Sequence, residues 1–352
     1  MTEIVPSIKV GTRRISAADP CYVIAEIGVN HNGDVHLAHR LIDLAVKAGA
    51  DAVKFQTFHT DGLVTTYAPK ARYQAVQTGN GNQRDMLSRL ELSAEDFRDL
   101  YDHAEKLGVD FISTAFDPKS LEEVVSLNPK CLKWPSGELN NFPLLRQAAL
   151  TGLPIIISTG MADIGEVAAT LDYLNYTGIS EVAILQCVSS YPASIEEQNL
   201  RCIATMSEMF RCPTGFSDHT LGPWAALAAR SLGMAILEKH VTLDRSMEGP
   251  DHAASMEPHE FSQMVAILRQ VEDGLGDGVK RPAESELATR IAARKSLVYA
   301  TSLPAGHILE ETDIAAKRPS GGLDPDQMGA VIGRRLAHAV KANQQVIMCD
   351  VE

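Results

Sequence analysis

The chain lacks the features that mark several large protein classes. No run of ~18 apolar residues occurs in its 352 positions, so nothing in it reads as a membrane-crossing helix. The opening MTEIVPSIKV has neither the basic start nor the apolar core of a secretory signal, and the expected location is cytoplasmic. Basic residues are outnumbered, 32 Lys and Arg against 45 Asp and Glu. The resulting net charge of −13 argues against a general nucleic-acid or anionic-membrane binder. An anionic substrate would need a local basic pocket within that acidic field. The six cysteines (Cys21, Cys131, Cys187, Cys202, Cys212 and Cys349) include no CxxC pair. Four of them lie in or beside apolar runs, which suits buried thiols in a reduced compartment without structural zinc. The glycines of AEIGVNHNG, PSGE and STGM form neither a GxGxxG fingerprint nor a Walker loop.

What is present is a repeat. Eight short apolar runs end in polar residues: VIAEIGVN (23–30), AVKFQT (52–57), DFISTAF (110–116), CLKWPSGE (131–138), PIIISTG (154–160), VAILQCVS (182–189), PTGFSDH (213–219) and AILEKHVT (235–242). Each of the first seven leads into a helix-like stretch, and the eighth into a loop and then a helix. In LAHRLIDLAVKAGAD, Leu37, Leu41, Leu44, Ala45 and Ala48 share one face, with Gly49 near the end. Helix, glycine, short loop and strand in succession specify an α/β protein of the (β/α)8 TIM-barrel class. A barrel takes ~250 residues, which leaves a remainder. Residues 1–275 read as the barrel, 276–293 as a Gly- and charge-rich linker, and 294–352 as a small, mainly β domain. The insertion from His59 to about Leu92 is far longer than the ~2–6 residues usual in such connections. It reads as a loop closing over the barrel mouth.

In this fold the strand ends build the active site. Alternation along each strand groups Glu26 with Gly28 and Asn30, Lys54 with Gln56, Ile112 with Thr114 and Phe116, Gly215 with Ser217 and His219, and Ile236 with Glu238 and His240. The ring outside the barrel is apolar, so polar strand residues are expected to point inward or sit at the rim. His219 and His240 end consecutive strands. Either alone suits a hydrogen-bonded core histidine, but the two together, beside Asp218 and Glu238, favour a divalent metal. His31 and His39 carry less, since His39 falls on a helix. Lys54 and Lys133 read as a clamp for a phosphate or carboxylate, helped by Ser136, Ser158 and Ser217. Their alternative is an internal ion pair with Glu26 or Glu138. A Schiff-base lysine is a further option. Glu26 and Glu138 are the candidate acid and base, or else charge balance for the lysines.

The motifs AEIGVNHNG, KFQTF, FISTAFD, KWPSGELNN, IIISTGM, LQCVSSYP, GFSDHTLG, LEKHVTLDR, GPDHAAS and AAKRPSGGL, in this order over nearly the whole chain, resemble the sialic acid synthase family. The last lies in the small domain, which resembles the antifreeze-like (SAF) domain of these synthases. The resemblance implies a condensation of phosphoenolpyruvate with an N-acetylated mannosamine-type sugar, giving a nine-carbon 2-keto acid and phosphate. It implies a divalent ion, usually Mn2+ with Mg2+ or Co2+ as alternatives, on His219 and His240. It assigns Lys54, Thr114, Lys133, Ser136, Ser158, Ser189 and Ser217 to phosphoenolpyruvate, Gln56, Tyr191 and Asp251 to the sugar, and Glu26 and Glu138 to proton transfer. Arg318, in KRP, matches an arginine that one subunit sends into the other's barrel, which implies a domain-swapped homodimer. Ser189 and Gln186 depart from some members, which carry Asn and His there. AEIG and SGE, where pseudaminate members have AEL and SFE, resemble the neuraminate and legionaminate branches. The run KARYQAVQTGNGNQRDML leans toward legionaminate. The rival readings are another metal-dependent aldolase or keto-acid synthase on the same barrel, and a non-enzymatic carbohydrate- or ice-binding module. The arginine-rich Lys317–Pro319 and RRLAH segments argue against a flat ice-matching face.

Overall fold

Local sequence starts and stops the helices as expected. Asp34 caps the helix Val35–Lys47 by accepting from the backbone N–H groups of His36 and Leu37, and Leu37, Ala38, Leu41, Ile42 and Ala45 form its buried face. Ser93 and Asp96 cap the helix Ala94–Leu107 reciprocally, and Gly108 closes it at φ +76°. The computed structural model describes residues 6–352. The chain divides between Gly276 and Asp277 into two compact units.

The first unit opens with a hairpin, β1 (Ile8–Val10) and β2 (Arg13–Ile15). Eight parallel strands follow: β3 (Tyr22–Gly28), β4 (Ala52–Thr57), β5 (Asp110–Ala115), β6 (Leu132–Trp134), β7 (Ile155–Ser158), β8 (Val182–Cys187), β9 (Thr214–Asp218) and β10 (Ile236–His240). They close in chain order, with β10 paired to β3. The eight predicted runs are these eight strands, and the last predicted helix is Pro258–Leu275. The inward residues of the lower barrel, including Tyr22, Ile24, Ile112, Ile156 and Ile236, pack with Ile8, Val10 and Ile15 of the hairpin. That hairpin seals the barrel floor and was not predicted. Its three-residue strands are too short to show a period. Ion pairs tie the floor together: Asp51 takes Arg13 and Arg269, and Glu272 takes Arg230 at 3.0 Å.

Three expectations need correction. The insertion after β4 is more than a loop, since it carries the short helices Thr60–Leu63, Arg72–Thr78 and Gln83–Leu87. Asn82 caps the last of these through the Asp85 N–H. The stretch read as a linker contains the helix Leu287–Ala293, whose Ile291 carbonyl accepts from the Ser320 N–H, so it joins the second unit. Polar side chains do occupy the outward face of the barrel. Lys239 and Asp218 pair there at 2.8 Å, both fully buried, and Asp218 therefore turns away from the histidines it was grouped with.

The second unit pairs β11 (Ser296–Tyr299) with β12 (Ile314–Lys317) in antiparallel register. Leu297, Tyr299, Leu309, Val331, Leu336 and Val346 form its core. Among the described residues no helix is long and apolar enough to cross a membrane, and the six cysteines are free.

Gly215 shows how tightly the barrel closes. A methyl group there would run into the Ile236 carbonyl oxygen and the Leu185 side chain. Gly215→Ala is expected to destabilise the barrel by about 1–3 kcal/mol through overpacking. Urea unfolding measures it, and an unchanged midpoint would show that the strands can part to admit a methyl.

Candidate active site

The polar strand ends converge on a cavity of about 430 Å3 at the C-terminal mouth of the barrel. Register sets the neighbours. Glu26 lies beside Lys54 and His240, Thr114 beside Gln56 and Lys133, and Ser217 beside Glu238 and Cys187. Glu26, Lys54, Gln56, Thr114, Lys133, Ser136, Ser158, Ser189, Tyr191, Ser217, His219, His240 and Asp251 all line the cavity. The insertion roofs it with Tyr73, Gln74, Gln83, Met86 and Leu87. Gly160 leaves the space that the hydroxyls of Ser136 and Ser189 occupy, and its N–H donates to Ser136 Oγ at 2.9 Å.

The charges form two linked pairs. Lys54 Nζ donates to Glu26 Oε2 at 2.6 Å, and Gln56 donates to Glu26 Oε1 at 3.1 Å. Lys133 Nζ donates to Ser158 Oγ at 2.6 Å and to the Trp134 carbonyl. Glu238 stands between the ammonium groups, its Oε2 3.8 Å from Lys54 and 3.7 Å from Lys133, while Ser217 donates to its Oε1. Burial opposes ionisation of Glu238, but Lys133 and Lys54 outweigh it and hold the carboxyl below its usual range. Burial wins at Glu26, which is pushed up to about 7 against the pull of Lys54. Burial also raises Asp251 to about 6. Burial opposes the charge on Lys54, but Glu238 and Glu26 outweigh it and hold Lys54 above its usual range, while burial pulls Lys133 below its own. The cradle thus sets two buried lysines against Glu238, inside an acidic protein. The buried atoms Thr114 Oγ1 and Glu238 Oε2 have no hydrogen-bond partner and face this space.

The two histidines sit across from the lysines, ring centroids 5.3 Å apart. His219 Nδ1 lies 2.7 Å from the Val188 carbonyl, which must accept, so Nδ1 carries a proton and donates it there. His240 Nδ1 is buried without a partner. Burial and the neighbouring His219 push His240 well below its ordinary pKa and keep it neutral. Burial opposes a charge on His219, but Cys187 and the Val188 carbonyl outweigh it and hold its pKa above the ordinary value, so a divalent ion on this pair would displace a proton from His219. Among the described residues no group of three or more His, Cys, Asp or Glu side chains could hold one, so the remaining positions would fall to water and substrate oxygens. Tyr191 packs on His219 at 4.1 Å between centroids.

Two predicted site residues lie elsewhere. Glu138 does not line the cavity. Its carboxylate takes the Asn141 amide at 2.6 Å, and its carbonyl takes the Trp134 indole N–H. Strand β6 ends at Trp134 and a 3-10 turn follows over Ser136–Glu138, so strand alternation no longer applies at that point. Arg318 is exposed in the second unit, at the end of β12. Sequence reasoning set Glu238 beside the histidines as support for a metal and missed its place between Lys54 and Lys133. Cys187 also lines the cavity. Asn30, grouped with Glu26, bonds instead to the Val241 carbonyl and Ser255.

The site is a (β/α)8 barrel mouth at which two buried lysines face two histidines, an arrangement typical of an enzyme active site. The comparisons name the family. Residues 41–280 match the NeuB family and residues 294–351 match the SAF domain. The chain belongs to the NeuB family. It is 42% identical to the N,N'-diacetyllegionaminic acid synthase of Legionella pneumophila over 94% of this chain and 95% of that one. It is 32% identical to the N-acetylneuraminate-9-phosphate synthase of Homo sapiens, over 95% and 94%. The crystal structure of N-acetylneuraminic acid synthetase from Leptospira borgpetersenii, in complex with citrate, aligns with a TM-score of 0.72 at 31% identity, covering 82% of this chain and 96% of that one.

The cradle should bind a simple anion. Phosphate at ~100 times its Kd is expected to stabilise the protein by about 2.7 kcal/mol, and Lys133→Met should abolish most of that gain. Thermal denaturation with and without phosphate measures it. An equal gain in the variant would move the anion site elsewhere.

Proposed function

We propose that this nonulosonate synthase condenses phosphoenolpyruvate with 2,4-diacetamido-2,4,6-trideoxy-mannose, giving N,N'-diacetyllegionaminate and phosphate. The observation that carries the reading is the pairing of a two-lysine cradle with two adjacent histidines in one cavity. The choice of sugar rests on the legionaminic acid synthase of Legionella being more similar than the human neuraminate-9-phosphate synthase. N-acetylmannosamine is the competing substrate.

Lys54 and Lys133, with Thr114, Ser136, Ser158, Ser189 and Ser217, hold the phosphate and carboxylate of phosphoenolpyruvate. Such fixed charge also stabilises the anion as it shifts during the reaction. Gln56, Tyr191 and Asp251 face the sugar. C3 of phosphoenolpyruvate forms a bond to the sugar aldehyde carbon, water adds at C2, and the C2–O bond to phosphate then breaks. A divalent ion on His219 and His240, Mn2+ in our reading, would supply Lewis-acid polarisation of the aldehyde oxygen. Glu26 balances the protons. It gives one to the sugar oxygen and regains one from the attacking water, and a carboxyl raised to about 7 suits both steps.

Phosphate release from phosphoenolpyruvate and Mn2+ with each sugar in competition tests the reading. No release with either sugar would defeat it. His240→Ala is expected to abolish turnover and weaken metal binding, and full activity with unchanged metal content would remove the ligand role. We further propose that Arg318 of one copy completes the cavity of a second copy in a domain-swapped homodimer. Mixing inactive Arg318→Ala with inactive His219→Ala should restore partial activity, and no recovery in demonstrably mixed dimers would sink the swap.

A further inference from the structure

The outward faces of barrel strands pack on helices, and apolar side chains satisfy that contact. Lys239 and Asp218 break the rule directly behind the two histidines. Lys239 precedes His240 on β10, and Asp218 ends β9 immediately before His219. The Lys239 ammonium donates to Asp218 Oδ2 at 2.8 Å, to the Thr220 carbonyl at 2.6 Å and to the Gly222 carbonyl at 3.2 Å. The other oxygen, Asp218 Oδ1, accepts from the Thr220 N–H at 2.8 Å and its hydroxyl at 2.7 Å. Both charged side chains are 0% exposed. The cluster thus locks the end of β9, the loop after it and β10 into one arrangement.

That lock reaches the cavity by two routes. His219 lies between Asp218 and Thr220, both of which are held, so its backbone cannot turn independently. The His219 carbonyl also accepts from the Ala193 N–H at 2.9 Å, and Ala193 bridges to Thr220. Ala193 closes the segment that carries Tyr191, the ring packed on His219. A buried ion pair adds little stability over well-packed apolar side chains of similar volume. Its charge-assisted bonds do fix direction, which apolar contact does not.

We infer that Lys239 and Asp218 are positioning residues that set the relative orientation of His219 and His240, and with it the Tyr191 wall. For its consequence in metal binding the inference rests on the reading that these histidines hold a divalent ion. Partners that orient metal-bound histidines typically change affinity by ~10–100-fold when removed.

The test uses the full chain. Removing one charge alone would strand the other, so the main variant is Asp218→Asn with Lys239→Met, which leaves no buried charge and keeps the acceptor for Thr220. Thr220→Val is nearly isosteric and loosens the same lock without touching a charge. The readouts are Mn2+ titration by calorimetry and the imidazole 15N spectrum of the metal-free protein. Expected are a native circular dichroism spectrum, a ~10–100-fold weaker Mn2+ affinity in the double variant, and a changed imidazole 15N pattern at His219. Thr220→Val should move both readouts the same way by less. Wild-type affinity and an unchanged imidazole spectrum in the folded double variant would overturn the inference. Should that variant not fold, unchanged values in Thr220→Val would overturn it. If the wild-type protein binds no Mn2+, the metal reading fails, and the metal-free imidazole spectra still decide the positioning claim.

Discussion

The barrel mouth is organised by the burial of two lysines, Lys54 and Lys133, with one carboxylate, Glu238, between them. Glu238 reaches both Lys54 and Lys133 at 3.8 and 3.7 Å and satisfies neither with a direct hydrogen bond. Isolated charges in a dry site cost several kcal/mol each, so the arrangement persists only if the surroundings compensate. Ser158, the Trp134 carbonyl, Glu26 and Ser217 supply part of that. In the proposed reaction the anionic substrate would supply the remainder, which favours an anion over a neutral molecule.

The barrel itself was legible because eight apolar runs of strand length recur with helices between them, and because polar residues interrupt those runs at one end only. Alternation then carried much of the site, since Glu26, Lys54, Gln56, Thr114, Ser217, His219 and His240 all face the cavity as the two-residue period requires. Alternation holds only while the strand lasts, so it misled at Asn30, beyond β3, and Glu138 lies past the end of β6 in a 3-10 turn. The hairpin was missed because strands of three residues show no period. The segment 59–92 carries little apolar periodicity, and its short helices are held by caps and by the cavity they roof. Contacts of that kind have no signature in a linear pattern.

The outward pair Lys239–Asp218 exposes a weakness in the polarity argument. The rule that buried polar groups face inward assumes that only the cavity offers partners. Here the carbonyls of Thr220 and Gly222 and the N–H of Thr220 lie outside the strands and accept or donate at full strength. A buried charge can stand wherever such partners converge, whichever side of the sheet that is. Asp218 and His219 are adjacent in sequence and look like one cluster, yet they belong to opposite faces and to different tasks.

The contrast between a net charge of −13 and a cationic cradle bears on how an anion arrives. At physiological ionic strength the screening length is about 8 Å, so the acidic surface repels a phosphorylated substrate only at close range. Inside the mouth the effective dielectric is low and the lysine charges act almost unscreened. Capture then rests on contacts made inside the mouth. A site of that kind discriminates by fit and by the partners its buried atoms lack, such as Thr114 Oγ1. A surface patch that attracts every anion from a distance would not discriminate in that way.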